Sequence, residues 1–578
     1  MLLSPFAGIA DHVIRESAIL KAFKDSNHTT YYVSCNLAYQ DFCVNHAAQG
    51  LAYDSSPTQK MKCCIACRNN ARIIRNSLVL DGNEEIQFEN PFIDITLVDT
   101  LNKIDSENWK DFKLNEFSLG RMAFYEFALQ NKINSLTIPD ELMKEYKIHL
   151  SNVISAYNNA VRILTKIRPN VLLVYNSRYS VNNVFCKVAE SLNIKYFTLN
   201  AAGNWDEYYE KFTFFSSEDE AFAISKSSEW SYFQNIPLRD NQITKVFDYL
   251  SSVIYPRNSW NYSVKSTYSD LQEIRKYFGI ADNKKIIVVT LSSEDELIAL
   301  EESEILKYRV SYTSDLAYRN LTEWLNAILK IARNNGDLFF IIRPHPRDFP
   351  GTRGGLNKSE QAKVLESYFS NTSFPDNFYI NLPKENISVY DLMKISDLLL
   401  NQSSSVGAEF AAFGIPIIHN NPQMLFAYPR ILGSNVVDFE NYERQILQCL
   451  SQPKERNQIM AFRWLYFKFY RINYKVEDSD PKFVRRIKNS ALRELTNKGK
   501  LFSLFLFLYY IFAKRVSSVK NQDFVQCVEN SLKGTHSLAY LQHIKNNEFA
   551  PIQFNSLDEQ VIPRLCLDFI LNQGRLEY

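Results

Sequence analysis

Two prolines and two basic side chains follow an apolar segment near the middle of the chain. Residues 338–342 read as a buried strand, and they run directly into Arg343-Pro-His345-Pro346. Because proline restricts its own backbone angle, the two prolines stiffen the turn and orient the guanidinium and the imidazole at the end of the strand. This pair suits a phosphate ester or a diphosphate. A proline-rich surface turn with solvated basic side chains is the alternative.

Three serines stand at a second strand end. Residues 397–401 predict a strand, and Ser403, Ser404 and Ser405 separate it from a helix that carries Glu409. Hydroxyls beside the free N–H groups of a helix start favour an anion, and Glu409 is placed to accept hydrogen bonds from ribose or sugar hydroxyls. Ordinary capping, with the glutamate stabilising the helix dipole, explains the same residues without a ligand.

A third strand end repeats this arrangement. The strand predicted at 285–291 leads into Ser292, Ser293 and Glu294. Ligands of parallel sheets bind beyond the carboxyl ends of the strands. We therefore expect all three strand ends to converge on one binding site.

Candidates for a catalytic base lie near the N-terminus. Asp11, His12 and Glu16 occur where a loop containing Gly8 enters the first predicted helix. Carboxylates and imidazoles are common general bases, so these three residues are candidate catalytic groups, together with His345. The alternative is a capped helix start in which Glu16 pairs with a neighbouring Arg or Lys.

The cysteines permit two interpretations. Cys64 and Cys67 form one CxxC pair, and Cys35 and Cys43 could complete four thiolates around zinc or an iron–sulfur cluster. The loose spacing and the single CxxC pair favour buried free thiols instead, and no metal site is predicted.

Other ligand motifs fail. A P-loop ending at Lys358 and Ser359 would need glycine at positions occupied by Thr352 and Asn357, and no GxGxxG pattern occurs. The segment Asp478-Ser-Asp480 has the residue types of a metal-binding Asp-x-Asp motif, but its surroundings predict a polar loop rather than the end of a strand, where that motif occurs.

Strands and helices alternate on both sides of an irregular stretch at 250–268. The predicted strands are 30–35, 170–175, 195–199, 285–291, 338–343, 397–401 and 415–418, and the predicted helices are 13–24, 117–167, 181–192, 316–334, 389–395 and 406–413. This order predicts parallel sheets and the α/β class. We expect two doubly wound, Rossmann-like domains facing a cleft, over 1–260 and 268–440, and a helical extension over 441–578.

The composition is that of a folded protein without a global charge excess. The chain has 578 residues, of which 46% are hydrophobic and 14% aromatic, which excludes disorder as the main state. A net charge of +1 argues against a nucleic-acid partner. Residues 1–10 lack the pattern of a signal peptide, and no window has the roughly 18–20 apolar residues of a membrane span. A cytoplasmic location is expected.

One stretch departs from this neutral average. Residues 481–520 contain ten Lys or Arg and one acidic residue, Glu494, around an apolar run at 501–513. An apolar helix with basic flanks favours contact with an anionic membrane surface, and residues 463–471 have a similar composition. A buried core helix with a solvated basic flank is the alternative.

Taken in order, these motifs resemble those of a known family. Arg343-Pro-His345-Pro346, followed about 60 residues later by the segment 402–416, is similar to the capsule and surface-polysaccharide biosynthesis glycosyltransferases of GT-B fold. That group includes the capsular Kdo transferases and, more distantly, the teichoic-acid glycerophosphotransferases. The segments 12–16, 171–178 and 292–296 match its motifs as well, and the resemblance covers roughly residues 10–440.

The resemblance implies a metal-independent GT-B glycosyltransferase that needs no cofactor beyond a nucleotide-sugar co-substrate. It would transfer the sugar to a growing surface polysaccharide of capsule or O-antigen type, or to a lipid-linked precursor on the inner face of the cell membrane. Arg343 and His345 would then face the donor phosphates, residues 403–405 would bind phosphate, and Glu409 would bind the ribose or the sugar. Two alternatives stay open: polyol-phosphate transfer from a CDP-alcohol, and a non-catalytic scaffold in polysaccharide assembly.

Overall fold

The computed structural model describes residues 1–77, 84–89, 95–202, 211–255, 264, 270–306, 318–351, 357–420, 428–436, 440–451 and 455–475, and positions 525, 528, 529, 532 and 562. In these ranges the chain forms thirteen strands: β1 (Leu2–Ser4), β2 (Tyr32–Ser34), β3 (Glu85–Gln87), β4 (Val171–Tyr175), β5 (Lys195–Ala201), β6 (Lys211–Phe215), β7 (Lys285–Thr290), β8 (Leu338–Arg343), β9 (Phe378–Ile380), β10 (Leu398–Asn401), β11 (Ile417–His419), β12 (Ser434–Asn435) and β13 (Tyr474–Lys475).

Two sheets account for these strands, in the orders β13-β6-β5-β4-β1-β2-β3 and β12-β11-β10-β7-β8-β9. The second sheet is parallel throughout, and the first is parallel from β3 to β5 and antiparallel at β6 and β13. In both sheets the chain winds outward in two directions from the first strand, as in Rossmann-like folds. The predicted α/β class with two such units is confirmed. We call the parts built on these sheets the first unit and the second unit.

Helices connect the strands and cover the sheets. Those of the described ranges are α1 (Ala10–Asp25), α2 (Val44–Ala48), α3 (Pro57–Ser77), α4 (Ile95–Asn102), α5 (Leu119–Met122), α6 (Phe124–Asn131), α7 (Met143–Ile167), α8 (Ser180–Ser191), α9 (Glu218–Phe222), α10 (Ser228–Phe233), α11 (Asp240–Ile254), α12 (Leu271–Tyr277), α13 (Glu294–Glu302), α14 (Leu321–Asn334), α15 (Glu360–Asn371), α16 (Val389–Ile395), α17 (Val406–Ala412), α18 (Tyr442–Ser451) and α19 (Glu455–Tyr466).

The apolar central strands explain why the second sheet is covered on both faces. Successive side chains of a strand point to opposite faces of its sheet. In β7, Ile287 and Val289 pack in the cluster that contains Trp324 of α14, whereas Ile286 and Val288 pack in the cluster that contains α16 and α17. A strand that is apolar on both faces is stable only between two helical layers.

The helix predicted over 117–167 is wrong as a single element. The chain instead forms α5, α6 and α7. Lys132 adopts the left-handed conformation (φ 52°) that ends α6, and Pro139 in the following loop precedes α7. The break lets α6 pack against α13 of the second unit, so that Leu297 and Leu300 join the core of the first unit.

The end of the described chain returns from the second unit to the first. Helix α19 packs against α17 and α11, continues as a π-helical turn over Phe467–Arg471, and leads into β13 at the edge of the first sheet. Trp464 and Phe467 are fully buried beside Trp230, and residues 468–471 are half-buried. Residues 463–467 therefore pack in the core, and the membrane contact suggested by their composition is wrong.

The rest of the C-terminal prediction is not tested. Residues 476–520, which include the basic stretch 481–520 and the Asp478-Ser-Asp480 segment, lie outside the described residues. The domain limits 1–260, 268–440 and 441–578 stay a prediction. Across the described ranges, every helix is too short or too polar to cross a bilayer.

Candidate active site

A cavity of about 1110 Å³ lies between the two units. It is found beyond the carboxyl ends of β4, β5, β7, β8 and β10, where a doubly wound sheet binds its ligands. Three parts of the chain form its wall: loops of the first unit, loops of the second unit, and the segment that follows α19. Of the predicted site residues, the cavity is lined by His12, Ser292, Ser293, His345, Ser403, Ser404 and Ser405.

The serine loop after β10 is held by two buried amide side chains. Asn401 donates to the carbonyl of Ser404 (2.8 Å) and accepts from its N–H (3.0 Å). Gln402 accepts from the N–H of Ser292 (2.8 Å), which joins this loop to the loop after β7. The last of the three serines precedes α17, but its side chain makes no capping hydrogen bond, so the predicted cap is wrong. Sequence reasoning missed both amides as positioning residues.

Ser293 was also predicted as a helix cap, and it bonds differently. Its hydroxyl lies 2.7 Å from carboxylate oxygens of both Asp295 and Asp348, and it accepts from Arg347 (3.1 Å). One hydroxyl proton cannot serve two carboxylates at once. Burial, together with the negative charge of Asp295, raises the pKa of Asp348 to about 6.

The acidic residues at the start of α13 face different surroundings. Glu294 is not among the cavity-lining residues, because its carboxylate turns to Gln402 and accepts a hydrogen bond from its amide (3.3 Å). Burial raises the pKa of Glu294 to about 7. Glu296 lines the cavity with its side chain 54% exposed, and it lies 3.5 Å from Arg347. Desolvation between the two units raises its pKa. Glu296 is the one carboxylate among the described lining residues, and the sequence analysis named Glu294 instead.

The two basic residues of the Arg-Pro-His-Pro turn separate in the structure. Arg343 is buried and donates to the side-chain oxygen of Asn381 (2.7 Å), so the structure does not bring it to the cavity. His345 does reach the cavity, and its Nδ1 accepts from the N–H of Arg347 (3.4 Å). Burial, aided by the charges of Arg347 and Arg343, lowers the pKa of His345 to about 3. The imidazole is therefore neutral, a hydrogen-bonding group rather than a cation.

In the first unit, His12 is the predicted base that reaches the cavity. Its ring packs between Tyr175 (4.3 Å between ring centres) and Tyr179 (5.6 Å). Burial, and to a lesser degree the charge of Arg15, lowers its pKa to about 3. Glu16 lies behind it, away from the cavity, where it accepts from the Ser4 hydroxyl, and burial raises its pKa to about 8. The side chain of Asp11 lies outside the described residues.

An ion pair between a cavity-lining arginine and a buried glutamate, which the site predictions omitted, supports the first-unit wall. Arg178 lines the cavity and donates to the carboxylate of Glu218 (2.9 Å), whose side chain is only 3% exposed. The same carboxylate accepts from the hydroxyls of Ser177 (2.8 Å) and Thr198 (3.1 Å). The sequence signal for this pair is the polar run at the end of β4.

Glu409 lies beneath the cavity wall rather than in it. One of its oxygens accepts from the hydroxyl of Tyr249 (2.7 Å), and the other is buried without a partner among the described residues. Burial raises its pKa to about 7, and the positive charge of Lys468, which does line the cavity, opposes that rise. The structure thus puts a lysine where sequence reasoning expected the glutamate.

The cysteine cluster lies apart, around a small cavity of about 180 Å³ in the first unit. Cys35, Cys43, Cys64 and Cys67 line it as free thiols. Burial raises the pKa of Cys35 to about 12 and that of Cys64 to about 11, so both thiols are protonated. In the part of the chain that the structure describes, no group of three or more acidic, His or Cys side chains is arranged to hold a metal ion.

Comparison with known proteins yields similarity to solved structures alone. No protein-family model and no curated protein sequence matches the chain. Similar structures include UDP-GlcNAc 2-epimerase from Neisseria meningitidis bound to UDP-GlcNAc (12% identity over 85% of this chain and 98% of that one, TM-score 0.27). Another is the spinosyn rhamnosyltransferase SpnG complexed with thymidine diphosphate (10% identity over 81% of this chain and 95% of that one, TM-score 0.24). A third is the β-Kdo 2,4-transferase KpsC from Thermosulfurimonas dismutans (11% identity over 51% of this chain and 78% of that one, TM-score 0.30).

The fold of this chain follows from its own strand order and pairing, and the site from the cavity between its two units.

Proposed function

We propose that this protein is a glycosyltransferase that moves a sugar from a nucleotide-activated donor to a surface polysaccharide or its lipid-linked precursor. The observation that carries the proposal is the 1110 Å³ cavity, whose wall is shared by two Rossmann-like units and offers hydroxyl, imidazole and carboxylate groups. Ligand pockets commonly measure about 300–1,000 Å³, so this cavity lies just above the upper end of that range. Two substrates that meet between two units explain both its size and its position.

The second unit supplies the groups that suit the donor. The hydroxyls of residues 403–405 and of Ser292 line one side, and in the described chain the Ser292 hydroxyl is buried without a partner. His345, being neutral, donates or accepts a hydrogen bond without adding charge. Hydroxyls and imidazoles that the fold holds in place stabilise charge on a leaving phosphate without reorganising. Arg343 has no direct role in this proposal, because it faces Asn381.

The first unit supplies the groups that suit a saccharide acceptor. Tyr125, Tyr175 and Tyr179 give aromatic surface, and His12 lies between the last two. Sugars present apolar C–H faces and polar hydroxyl edges, so aromatic rings beside polar groups are suited to them. Because its pKa is low, His12 is a weak proton acceptor, and we assign it to orienting an acceptor hydroxyl.

Glu296 is the best-placed general base in this proposal. It reaches the cavity from α13, its side chain is exposed enough to meet an acceptor hydroxyl, and its pKa is raised. It would take the proton of the acceptor hydroxyl as the oxygen attacks the anomeric carbon and the nucleotide leaves. This assignment moves the base from the first unit, where the sequence analysis expected it, to the second.

The donor class is tested by ligand-dependent thermal stability. Each of CMP, UDP, GDP, TDP and their sugar conjugates is added to the full-length protein, and the unfolding temperature is measured. A nucleotide at 100 times its Kd stabilises the folded state by about 2.7 kcal/mol. Absence of a shift with all of them would refute nucleotide-sugar use. Phosphorus retained in the product would instead indicate polyol-phosphate transfer, and an isomerised nucleotide sugar formed without acceptor would indicate epimerisation.

The base is tested by E296Q. We expect sugar transfer to fall by about 10²–10⁴-fold, because the acceptor hydroxyl keeps its proton, while nucleotide affinity stays unchanged. E273Q is the control, since Glu273 is exposed on α12 and is not among the cavity-lining residues. Full transfer activity in E296Q would remove Glu296 from the mechanism. Equal loss of nucleotide binding would make it a binding residue instead.

Contact of residues 481–520 with an anionic membrane surface stays part of the proposal. It rests on the basic composition of that stretch, and a lipid-linked acceptor would bring the cavity close to a membrane.

A further inference from the structure

One cation in the cavity wall is unaccounted for by the donor site proposed above. It comes from the segment after α19, which sequence reasoning did not connect with the site. Lys468 lies in the π-helical turn Phe467–Arg471 and lines the cavity together with Phe469. A π-helical turn is wider than an α-helical one, it is rare, and it is frequent at functional sites.

Lys468 and the serine loop line the same cavity. The lysine's opposite charge is Glu409 of α17, and α17 starts directly after residues 403–405. The neighbouring Phe469 stacks on Tyr249 (4.0 Å between ring centres), whose hydroxyl donates to Glu409 (2.7 Å). The turn is therefore anchored to the helix that follows the serines, and the lysine stem extends from it to the cavity.

The charges of the cavity wall show what this lysine can do. Of the described lining residues, Arg178 and Lys468 carry cationic side chains, because the lowered pKa values of His12 and His345 keep both imidazoles neutral. Arg178 is bonded to Glu218 in the first unit. The second-unit side of the cavity would otherwise meet an anionic ligand with hydroxyls and a neutral imidazole.

We infer that Lys468 binds the phosphate of the donor nucleotide and stabilises its charge as the sugar leaves. The inference rests on the proposed function and adds to it the group that carries the positive charge. Burial lowers the pKa of this ammonium, and Glu409 opposes that effect. A phosphate beside the ammonium would add a second negative charge to that of Glu409, and a neighbouring negative charge favours the charged form of a lysine. Lys468 is thus complementary to an anion and not to an uncharged sugar.

The lysine also ties donor binding to the position of the two units. Its segment packs on α17 of the second unit and continues into β13, where Tyr474 pairs with Phe212 of the first sheet. A phosphate held by Lys468 and the serine loop therefore contacts the part of the chain that links both units.

The test compares the affinity of variants for a nucleotide and for its nucleoside. The ligands are CMP, UDP, GDP and TDP, each beside the matching nucleoside without phosphate, titrated calorimetrically into the full-length protein. For the nucleotide that the wild type binds, we expect K468M to weaken binding about 30-fold, or about 2 kcal/mol at 1.4 kcal/mol per tenfold. Affinity for the nucleoside should not change. K468R keeps the charge and should stay within about fivefold of the wild type.

The control is K245M. Lys245 is an exposed lysine on α11 whose ammonium lies near Tyr470 of the same turn, and Lys245 does not line the cavity. The nucleotide affinity of K245M should match that of the wild type. Unchanged nucleotide binding in K468M would overturn the inference, and so would an equal loss for nucleoside and nucleotide, which indicates a structural role. A wild-type protein that binds none of the nucleotides would overturn the proposed function itself, and with it this inference.

Discussion

Replacing Arg347 by methionine tests how strongly the fold depends on one buried guanidinium. Arg347 contacts both carboxylate oxygens of Asp295, and it donates to the hydroxyl of Ser293 (3.1 Å) and to the carbonyl of Leu129 in the first unit (3.1 Å). The side chains of Arg347 and Asp295 are 9% and 2% exposed, so R347M leaves a carboxylate buried without its counter-charge. Breaking a buried pair in this way costs about 3–5 kcal/mol, and we expect that loss in the free energy of unfolding.

The loss is measured by urea unfolding followed through tryptophan fluorescence, because Trp324 is fully buried in the second unit. K358M is the matched control. Lys358 pairs with Glu366 at 2.7 Å on the surface of the same unit, and an exposed pair contributes at most about 1 kcal/mol.

The double variant R347M/D295N separates the pair from its surroundings. It leaves no unpaired carboxylate at position 295, so we expect it to recover at least about 1 kcal/mol relative to R347M. A loss below about 1 kcal/mol in R347M, or additive losses in the double variant, would refute the role of Arg347.

Two further variants test the packing and the titration of the site. A Cβ at Gly407 would lie 2.1 Å from the hydroxyl of Tyr428, so G407A is expected to lose about 1–3 kcal/mol of unfolding free energy in thermal melts. G336A, which meets nothing within 4 Å, should stay within about 0.5 kcal/mol of the wild type. Burial raises the pKa of Glu16 to about 8, so the folded state binds this proton more tightly than the unfolded state does. The free energy of unfolding should therefore fall as pH rises from the ordinary carboxyl range to about 8. E16Q should flatten this dependence on pH, whereas the control E366Q, at an exposed site, should leave it unchanged. The same dependence in E16Q as in the wild type would contradict the assignment to Glu16.

Local features of the sequence were enough to find most of the central strands of both sheets, whereas β1, the outer strands β3, β6, β9, β12 and β13, and many of the helices were not predicted. The runs at 285–291, 338–343 and 397–401 lie within one residue of β7, β8 and β10, because a continuous apolar segment between polar turns has few other stable conformations. The same runs located the loops that line the cavity, since chain direction alone places the carboxyl ends of parallel strands together. The region 117–167 was harder, because its apolar spacing continues across the loop that contains Pro139.

Side-chain direction was not available from the sequence. Arg343 and His345 are separated by one residue, yet Arg343 turns to Asn381 and His345 to the cavity. On the first turn of α13, Glu294 likewise turns to Gln402, whereas Glu296 turns to the cavity. These outcomes depend on partners from distant segments, which local periodicity does not encode.

The sequence by itself determined the two-unit α/β architecture and the loops that form the site, because both follow from short-range patterns of apolar, proline and serine residues. The tertiary structure alone decided which groups carry charge there. Burial made His12 and His345 neutral and put Glu409 beneath the wall, since desolvation depends on everything packed around a group. The tertiary structure also brought Lys468 to the cavity, on the π-helical turn that follows α19. This is a long-range contact that only packing can establish.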